Sequence, residues 1–293
     1  HIQIIIMKCN LIYLILLFSL SSLLINCSNS SQNTIPTKDS LSVLIISSDH
    51  SIGQNRLGFA IIDNDGISIN NNLKEVSIKN INSETKELIN TKYEKWFTGR
   101  GVYRSNIELS EPGGYELKIT TEFDLTGTAL FEVKENSSTP SIGTKPQIIK
   151  TKTAFNNEEV SQISSDPNPD LSLYDISYKQ SINNGLPTVV IFSTPSLCVS
   201  GTCGPLLDYV KEISEMYKQD CDFIHVEIFE DFFNKNLDDL ESLTLSSPVE
   251  AWGLPTEPWI FLIDENGFLM NKYEGFIPKD QLLNEVIFLV SNN

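Results

Sequence analysis

Between residues 41 and 134, apolar and polar side chains alternate in short bursts. LSVLII, RLGFAII, ISI, KEVSIKNI, VYRSNIEL, GYELKITT and TALFEVK are rich in β-branched and aromatic residues. Turn formers separate them at Asp63-Asn64-Asp65-Gly66, Glu111-Pro112-Gly113-Gly114 and Thr126-Gly127. In YELKITT the period of two places Tyr115, Leu117 and Ile119 on one face and Glu116, Lys118 and Thr120 on the other, as in a half-buried strand. About seven short strands in about 95 residues predict an all-β sandwich of immunoglobulin-like type over 41–134. Trp96 and Phe97 are read as part of its core.

The pattern then changes. Residues 135–172 carry ENSSTPSIGTKPQ and SSDPNPD, show no sustained period, and read as a linker. From 173 to 293, strand and helix patterns alternate. LYDISYKQSINNG predicts a short helix stopped by Gly185. TVVIF at 188–192 is an apolar run suited to the centre of a sheet. PLLDYVKEISEMYK sets Leu206, Leu207, Val210, Ile213, Met216 and Tyr217 on a helical face, with Pro205 in the first turn. FIHVEIF at 223–229 predicts a second strand, followed by an acidic helical stretch, EDFFNKNLDDLESL. WIFLID and FLMNKYEG form a hairpin around Asp264-Glu265-Asn266-Gly267, and PKDQLLNEVIFLV closes as an amphipathic helix. The predicted order is β-α-β-α-β-β-α.

Residues 1–27 differ from all of this. They hold no acid, one Lys and the apolar run Leu11 to Ile25, with Met7-Lys8 reading as a start and residues 1–6 as an extension ahead of it. The pattern is that of an export leader. Leu24-Ile25-Asn26-Cys27 resembles a bacterial lipobox, although Asn26 stands where a small residue is usual; Cys27 would carry the lipid, and 28–40 would be a tether. A plain cleaved signal and a retained anchor are the alternatives. Each puts the remaining chain on the extracytoplasmic side of the membrane, where disulfides persist. The acidic balance, 38 Asp and Glu against 21 Lys and Arg, argues against a nucleic-acid partner.

Beyond Cys9 and Cys27, three cysteines remain: Cys198, Cys203 and Cys221. Cys198 and Cys203 lie in FSTPSLCVSGTCGPLLD, between a strand and a helix. They could be a redox pair, a metal clip or a structural staple. No other Cys or His is near them in sequence, which disfavours zinc. Exchange chemistry needs one thiolate to attack and a second thiol to resolve, and a helix N-terminus stabilises negative sulfur. Cys221 reads as a small buried apolar residue.

Residues 185–293 resemble the thioredoxin family. The likeness rests on Cys203-Gly204-Pro205 between the first strand and a long helix, on AWGLPTEPWIFLI leading into the third strand, and on the closing hairpin and helix. It implies a thioredoxin-like fold and thiol–disulfide exchange through Cys198 and Cys203, without a cofactor or metal. It also implies a cis peptide bond before Pro258, facing the cysteines. The implied substrate groove comprises Gly204, Pro205, Glu257, Pro258 and Trp259. The expected partners are protein thiols and disulfides of the cell envelope.

The chain departs from the family in several places. Leu206 stands where the family's second cysteine would be, so the partner is upstream, as Cys198. Cys198 or Cys203 could take the nucleophile's place; Cys203 is the better candidate thiolate, with Cys198 as its resolving partner, because extra residues fit more easily in the loop ahead of Cys203, which would touch the helix N-terminus. Leu197 or Thr202 replaces the usual Trp, and Ile191 occupies the usual place of a buried acid, leaving Glu257 as a candidate proton carrier.

The alternatives are an interaction protein with a structural disulfide, a copper-handling chaperone of the Sco type, and a thiol peroxidase. Copper lacks a distal His, since His225 lies in a strand and reads as packed. Peroxidase chemistry expects a Thr three residues before the cysteine, whereas Thr194 is four before Cys198. GVYRSNIELSEPGGYELKI resembles the YtkA-like family of exported β-sandwich domains and brings no catalytic residue with it.

Overall fold

The alternating stretches form antiparallel sheets, and the apolar runs form a mixed one. The computed structural model describes residues 41–63, 66–96, 101–198, 200–230 and 243–291. The leader, tether and Cys27, along with Phe97 and residues 231–242 of the acidic stretch, lie outside the described residues.

Among the described residues, nine strands come first: β1 Ser42–Ile45, β2 Gly53–Ile62, β3 Ser68–Ile69, β4 Leu73–Asn80, β5 Glu87–Leu88, β6 Lys92–Lys95, β7 Gly101–Leu109, β8 Gly113–Thr121 and β9 Thr126–Val133. One sheet runs β1-β2-β7-β6, with β3 beside β2; the other runs β5-β4-β8-β9. Side chains of both sheets share a core that includes Leu57, Phe59, Val76, Tyr103, Leu117 and Phe131. In β8, Tyr115, Leu117 and Ile119 are buried while Lys118 faces out.

Residues 135–172 are not slack. Gly143 and Thr144 exchange backbone hydrogen bonds with Leu269, and Gln147 O accepts from Trp252 Nε1. Ala154 N donates to Tyr174 O, beside a single turn α1, Asn157–Val160, capped by Asn156. This segment therefore wraps the mixed sheet.

The mixed sheet runs, from edge to edge, through Asp222–Val226, Thr188–Phe192, Trp259–Ile263 and Leu269–Glu274. β10 (Thr188–Phe192) is buried along its whole length, parallel to β11 (Asp222–Val226) and antiparallel to β12 (Trp259–Ile263), which pairs with β13 (Leu269–Glu274). Helices α2 (Tyr178–Ser181), α3 (Cys203–Tyr217), α4 (Ser247–Ala251) and α5 (Lys279–Ser291) complete it. Burial on both faces explains the unbroken apolar runs. Val189, Ile191, Ile260 and Leu262 pack with Leu206, Val210 and Ile213 of α3 and Val286 of α5, whereas Val190, Phe192, Phe261 and Trp252 build the opposite core. Met216, expected on the buried face of α3, is exposed. At about 100° per residue it lies roughly 80° from Leu206 around the helix, outside the stripe set by Leu206, Val210 and Ile213. Strand order, helix placement and Cys203 at the start of α3 are those of the thioredoxin-like fold expected from the sequence. Among the described residues, no helix is long and apolar enough to cross a membrane.

The two-sheet part leans on β13 and the turn after it. Arg104 of β7, only 6% exposed, reaches the Glu274 and Phe276 carbonyls at 3.5 Å each, and its Nε lies 3.5 Å from Glu94. Arg56 pairs with Glu94 at 2.9 Å and reaches Phe276 O at 3.4 Å. Gly58 pairs with Arg104 across the strands, and a Cβ there would come within 1.9 Å of Arg104 Nη1, so only glycine admits this guanidinium. Trp96, read as core, is half-buried and packs its ring 5.5 Å from Phe276, at this joint. Removing one partner from a buried ion-pair cluster is costly. Arg104→Met is expected to lower unfolding free energy by about 3 kcal/mol in urea titrations; an unchanged midpoint would remove Arg104 from the joint.

Candidate active site

β10 ends at Phe192, and Ser193 and Thr194 continue it as fully buried residues. The chain then leaves the sheet after Thr194, and Cys203 is the first residue of α3. Cys198 and Cys203 form a disulfide with Cα atoms 6.0 Å apart. Gly201 has φ +67°, a left-handed conformation suited to glycine, and it lets the loop fold back.

The two sulfurs differ in environment. Cys203 is wholly buried, whereas Cys198 is partly exposed. The Cys203 backbone N–H points at Cys198 Sγ, 3.3 Å away, and the Ser200 hydroxyl lies 3.2 Å from the same sulfur. The donors at the helix N-terminus thus converge on Cys198. Negative charge there is favoured both by hydrogen bonding and by the dipole of a 15-residue helix.

Behind Cys203 stands Glu257. The Glu257–Pro258 peptide bond is cis. Glu257 Oε2 accepts from Thr194 N at 2.6 Å and lies 3.6 Å from Cys203 Sγ. Burial pushes its carboxyl up to about 7, against the opposing pull of the Thr194 N–H. A second carboxyl, Glu227, escaped the sequence reading. It follows β11, is 8% exposed, and accepts from Ser165 N at 2.5 Å. Burial first, and the Glu257 charge as well, push it up to about 7, while the Ser165 and Thr194 contacts hold it down. The detectable signal was a lone acid inside the apolar run FIHVEIF.

The groove residues divide. Gly204 and Pro205 are partly exposed, and no heavy atom lies within 4 Å of where a Cβ on Gly204 would stand, so open space adjoins the disulfide. Pro258 is buried, and its carbonyl accepts from Gly275 N at 2.8 Å. Trp259 corrects the expectation. Its side chain is buried in the core opposite α3, stacked on Phe261 at 5.7 Å. It borders a separate cavity of about 330 Å³ with Asp49, His50 and Lys272. Strand alternation is the reason: Ile260 faces the α3 side, so Trp259 faces away.

His225 is packed, as read. Its ring nitrogens meet Tyr174 Oη at 2.5 Å and Ser193 Oγ at 3.0 Å, and burial pushes its pKa down to about 4. Cys221 is buried, and burial pushes its thiol far up. Among the described residues, no group of three or more His, Cys, Asp or Glu side chains is placed to hold a metal ion.

No family model matches the chain. No curated protein matches it either. Among solved structures, a thiol:disulfide interchange protein of the thioredoxin family from Chlorobium tepidum is similar at 15% identity, over 52% of this chain and 99% of that one, with a TM-score of 0.34. The pneumococcal exposed lipoprotein thioredoxin Etrx1 from Streptococcus pneumoniae is similar at 21% identity, over 40% and 96%, with a TM-score of 0.32. The Lin-41 filamin domain is similar at 13% identity, over 32% and 93%, with a TM-score of 0.23. At such scores these likenesses say nothing about activity, and the site rests on its own geometry.

The raised carboxyls fix the sign of a pH effect. A carboxyl whose value rises on folding, here from 4.5 to about 7, holds more protons folded than unfolded between those limits, so stability falls as pH rises through that window. Glu257→Gln removes this contribution. The difference in urea midpoint, variant minus wild type, is expected to become more positive from pH 4.5 to pH 8; the opposite slope would contradict a Glu257 carboxyl raised on folding.

Proposed function

We propose that this chain is a thiol–disulfide oxidoreductase acting on protein thiols and disulfides outside the cytoplasm. The observation carrying this reading is the asymmetric disulfide: an accessible Cys198 sulfur under the donors of a helix N-terminus, and a buried Cys203 sulfur beside Glu257. A staple has no need of either feature.

These surroundings favour the reverse of the roles expected from sequence. Cys198 is the attacking sulfur and Cys203 the resolving one. In the reduced protein, the Cys198 thiolate attacks a substrate disulfide. A Cys198–substrate disulfide forms, and the substrate's other sulfur leaves as a thiolate. Cys203 then attacks Cys198 and gives its proton to Glu257. The Cys198–Cys203 bond forms, the Cys198–substrate bond breaks, and the second substrate sulfur leaves as a thiolate. The substrate gains two electrons, and the cysteine pair loses them. Run backward, the same steps oxidise a dithiol substrate. Gly204 and Pro205, with the chain at Glu257 and Pro258, would border the bound substrate.

The same reading takes residues 173–293 as the redox domain and 41–134 as an immunoglobulin-like domain that spaces or docks it, with 135–172 joining them. A lipid on Cys27, following Leu24-Ile25-Asn26, would hold the protein to the extracytoplasmic face of the membrane.

Two measurements test this. With a disulfide-bonded model protein, Cys203→Ser is expected to accumulate a mixed disulfide through Cys198, visible on non-reducing gels. Cys198→Ser is expected to form none and to lose at least about a hundredfold in exchange rate. Equal exchange by wild type and both variants would refute the role of the pair. Labelled fatty acid is expected to enter the wild-type chain and not Cys27→Ser; equal labelling would refute the anchor.

A further inference from the structure

Two hydroxyls lead from the start of α3 to the accessible sulfur. The Ser200 hydroxyl lies 3.2 Å from Cys198 Sγ, and the Thr202 hydroxyl lies 2.7 Å from the Ser200 oxygen. Thr202 N–H reaches the same oxygen at 3.4 Å. Only one ordering of protons satisfies these contacts. A disulfide sulfur carries no hydrogen, so Ser200 is the donor to Cys198. The single proton of Ser200 is then used, and Thr202 must donate to Ser200. The row runs from Thr202 to Ser200 to Cys198, each bond polarising the next.

Thr202 stands at the N-cap of α3, where a threonine oxygen ordinarily accepts from an N–H of the first turn. Here its side chain makes no capping bond. The residue is 1% exposed, so its hydroxyl is shut off from water and turned on Ser200 instead. Cys203 N–H, which heads the helix, goes to Cys198 Sγ. The sulfur thus receives one donor from the helix end and one from the loop.

The charged groups around the site do not supply this stabilisation. Residues 195–202 carry no ionisable group besides Cys198. On α3, Lys211 pairs with Asp208 at 3.2 Å and closes on Asp166. Asp166 follows Ser165, whose carbonyl accepts from the Ser196 hydroxyl and whose N–H is bound by Glu227. From the chain before β12, Glu257 meets Cys203. Among the described residues, no Lys, Arg or His side chain hydrogen-bonds Cys198. Negative charge on this sulfur therefore rests on the two donors and the helix dipole.

We propose that Thr202 and Ser200 form a hydroxyl chain that holds Cys198 as a thiolate in the reduced protein and biases the pair toward oxidising dithiol substrates. This rests on the exchange reading. A thiolate has no proton either, so the same order persists, and the bond from Ser200 strengthens because its acceptor is charged. No proton moves along the chain. In the oxidising direction a substrate thiolate attacks Cys198 Sγ. The Cys198–substrate bond forms, the Cys198–Cys203 bond breaks, and Cys203 leaves and takes a proton from Glu257. The second substrate thiolate then attacks the substrate sulfur bound to Cys198. The substrate disulfide forms, and Cys198 leaves as a thiolate. The substrate loses two electrons, and the pair gains them. A thiol of lower pKa leaves faster, and a stabilised reduced pair is the stronger oxidant. Ser200 touches the reacting sulfur and is a catalytic residue, whereas Thr202 acts through it and is a positioning residue.

Alkylation of the reduced, full-length protein across pH, with the modified cysteine identified by mass spectrometry, tests this without turnover. In wild type, Cys198 is expected to titrate below the ordinary value of about 8.5. Ser200→Ala is expected to raise its midpoint by about one pH unit, and Thr202→Val by about half a unit. Ser200→Thr, which keeps the hydroxyl, is expected to stay within about 0.3 of wild type. In glutathione equilibration above both midpoints, the Ser200→Ala pair is expected to be about tenfold harder to reduce, a potential lower by about 30 mV. A Ser200→Ala or Thr202→Val midpoint within about 0.2 of wild type would overturn the proposal. So would a Ser200→Thr midpoint as high as that of Ser200→Ala. Ser200 is exposed, so its variants decide alone should Thr202→Val fail to fold. Midpoints that move as described in a protein that exchanges no disulfides would sink the exchange reading and the oxidising bias with it, leaving only the hydroxyl chain. Exchange through the pair with unmoved midpoints would sink this proposal alone.

Discussion

The hydrogen bond from Thr194 N to Glu257 Oε2 fixes where a carboxyl stands in the candidate site. β10 and β12 are antiparallel neighbours, with Phe192 opposite Trp259. The residues that continue β10, Ser193 and Thr194, must therefore meet those that precede β12, Pro258 and Glu257. The same bond that joins these strand ends holds a carboxyl 3.6 Å from Cys203 Sγ. A carboxyl at this depth would be expelled toward water if it could rotate out; the N–H gives it a reason to stay.

The same sheet explains how the two halves of the described chain fit together. β13 is the edge strand beside β12, and an uncovered edge invites pairing with other chains. The two-sheet part and the segment after it meet that edge with polar groups. Lys272 of β13 reaches Ser137 at 2.7 Å and Thr139 at 2.6 Å, with Asp49 3.5 Å away. Burial alone would raise Asp49, but donors from Ser137, Ser138 and Thr139, together with Lys272, hold it well below the usual carboxylate range. Ser48 binds Glu274 through its N–H at 2.8 Å and its hydroxyl at 2.5 Å. β13 is thus braced through side chains and, at Leu269, through backbone hydrogen bonds to Gly143 and Thr144, and β12, which begins just after the cis-proline, lies one strand further in.

Much of this was legible in the chain, and the illegible parts have physical causes. The alternation of GYELKITT gave β8 because one face is wet, and TVVIF and WIFLI gave β10 and β12 because both faces are dry. β5 and β6 were missed because Glu87–Leu88 is too short for a period and KYEK carries lysines, as suits an edge. The position of Trp259 followed from strand parity, a one-residue question that a motif likeness leaves open. Arg104 looked like an ordinary strand charge; its burial depends on Gly58 opposite, and sequence shows such a pair only once the register is known.

The cysteine roles were the hardest to read, because the helix N-terminus acts on the sulfur that it points at and not on the one attached to it. Cys203 begins α3, but its own N–H is directed at Cys198 Sγ, which the left-handed turn at Gly201 brings back over the helix end. The loop thus separates two properties that adjacency in sequence appears to combine. Cys203 supplies the helix start and is buried, while Cys198 receives the helix field and is accessible. With Ile191 wholly buried in the apolar core of β10, an acid for the buried sulfur has to come from another strand. Glu257 comes from the chain entering β12, next to the end of β10. In the proposed exchange, the upstream cysteine and the acid on the far side of Thr194 are then parts of one arrangement: a buried sulfur that begins a helix beneath an accessible partner would have its proton taken from below.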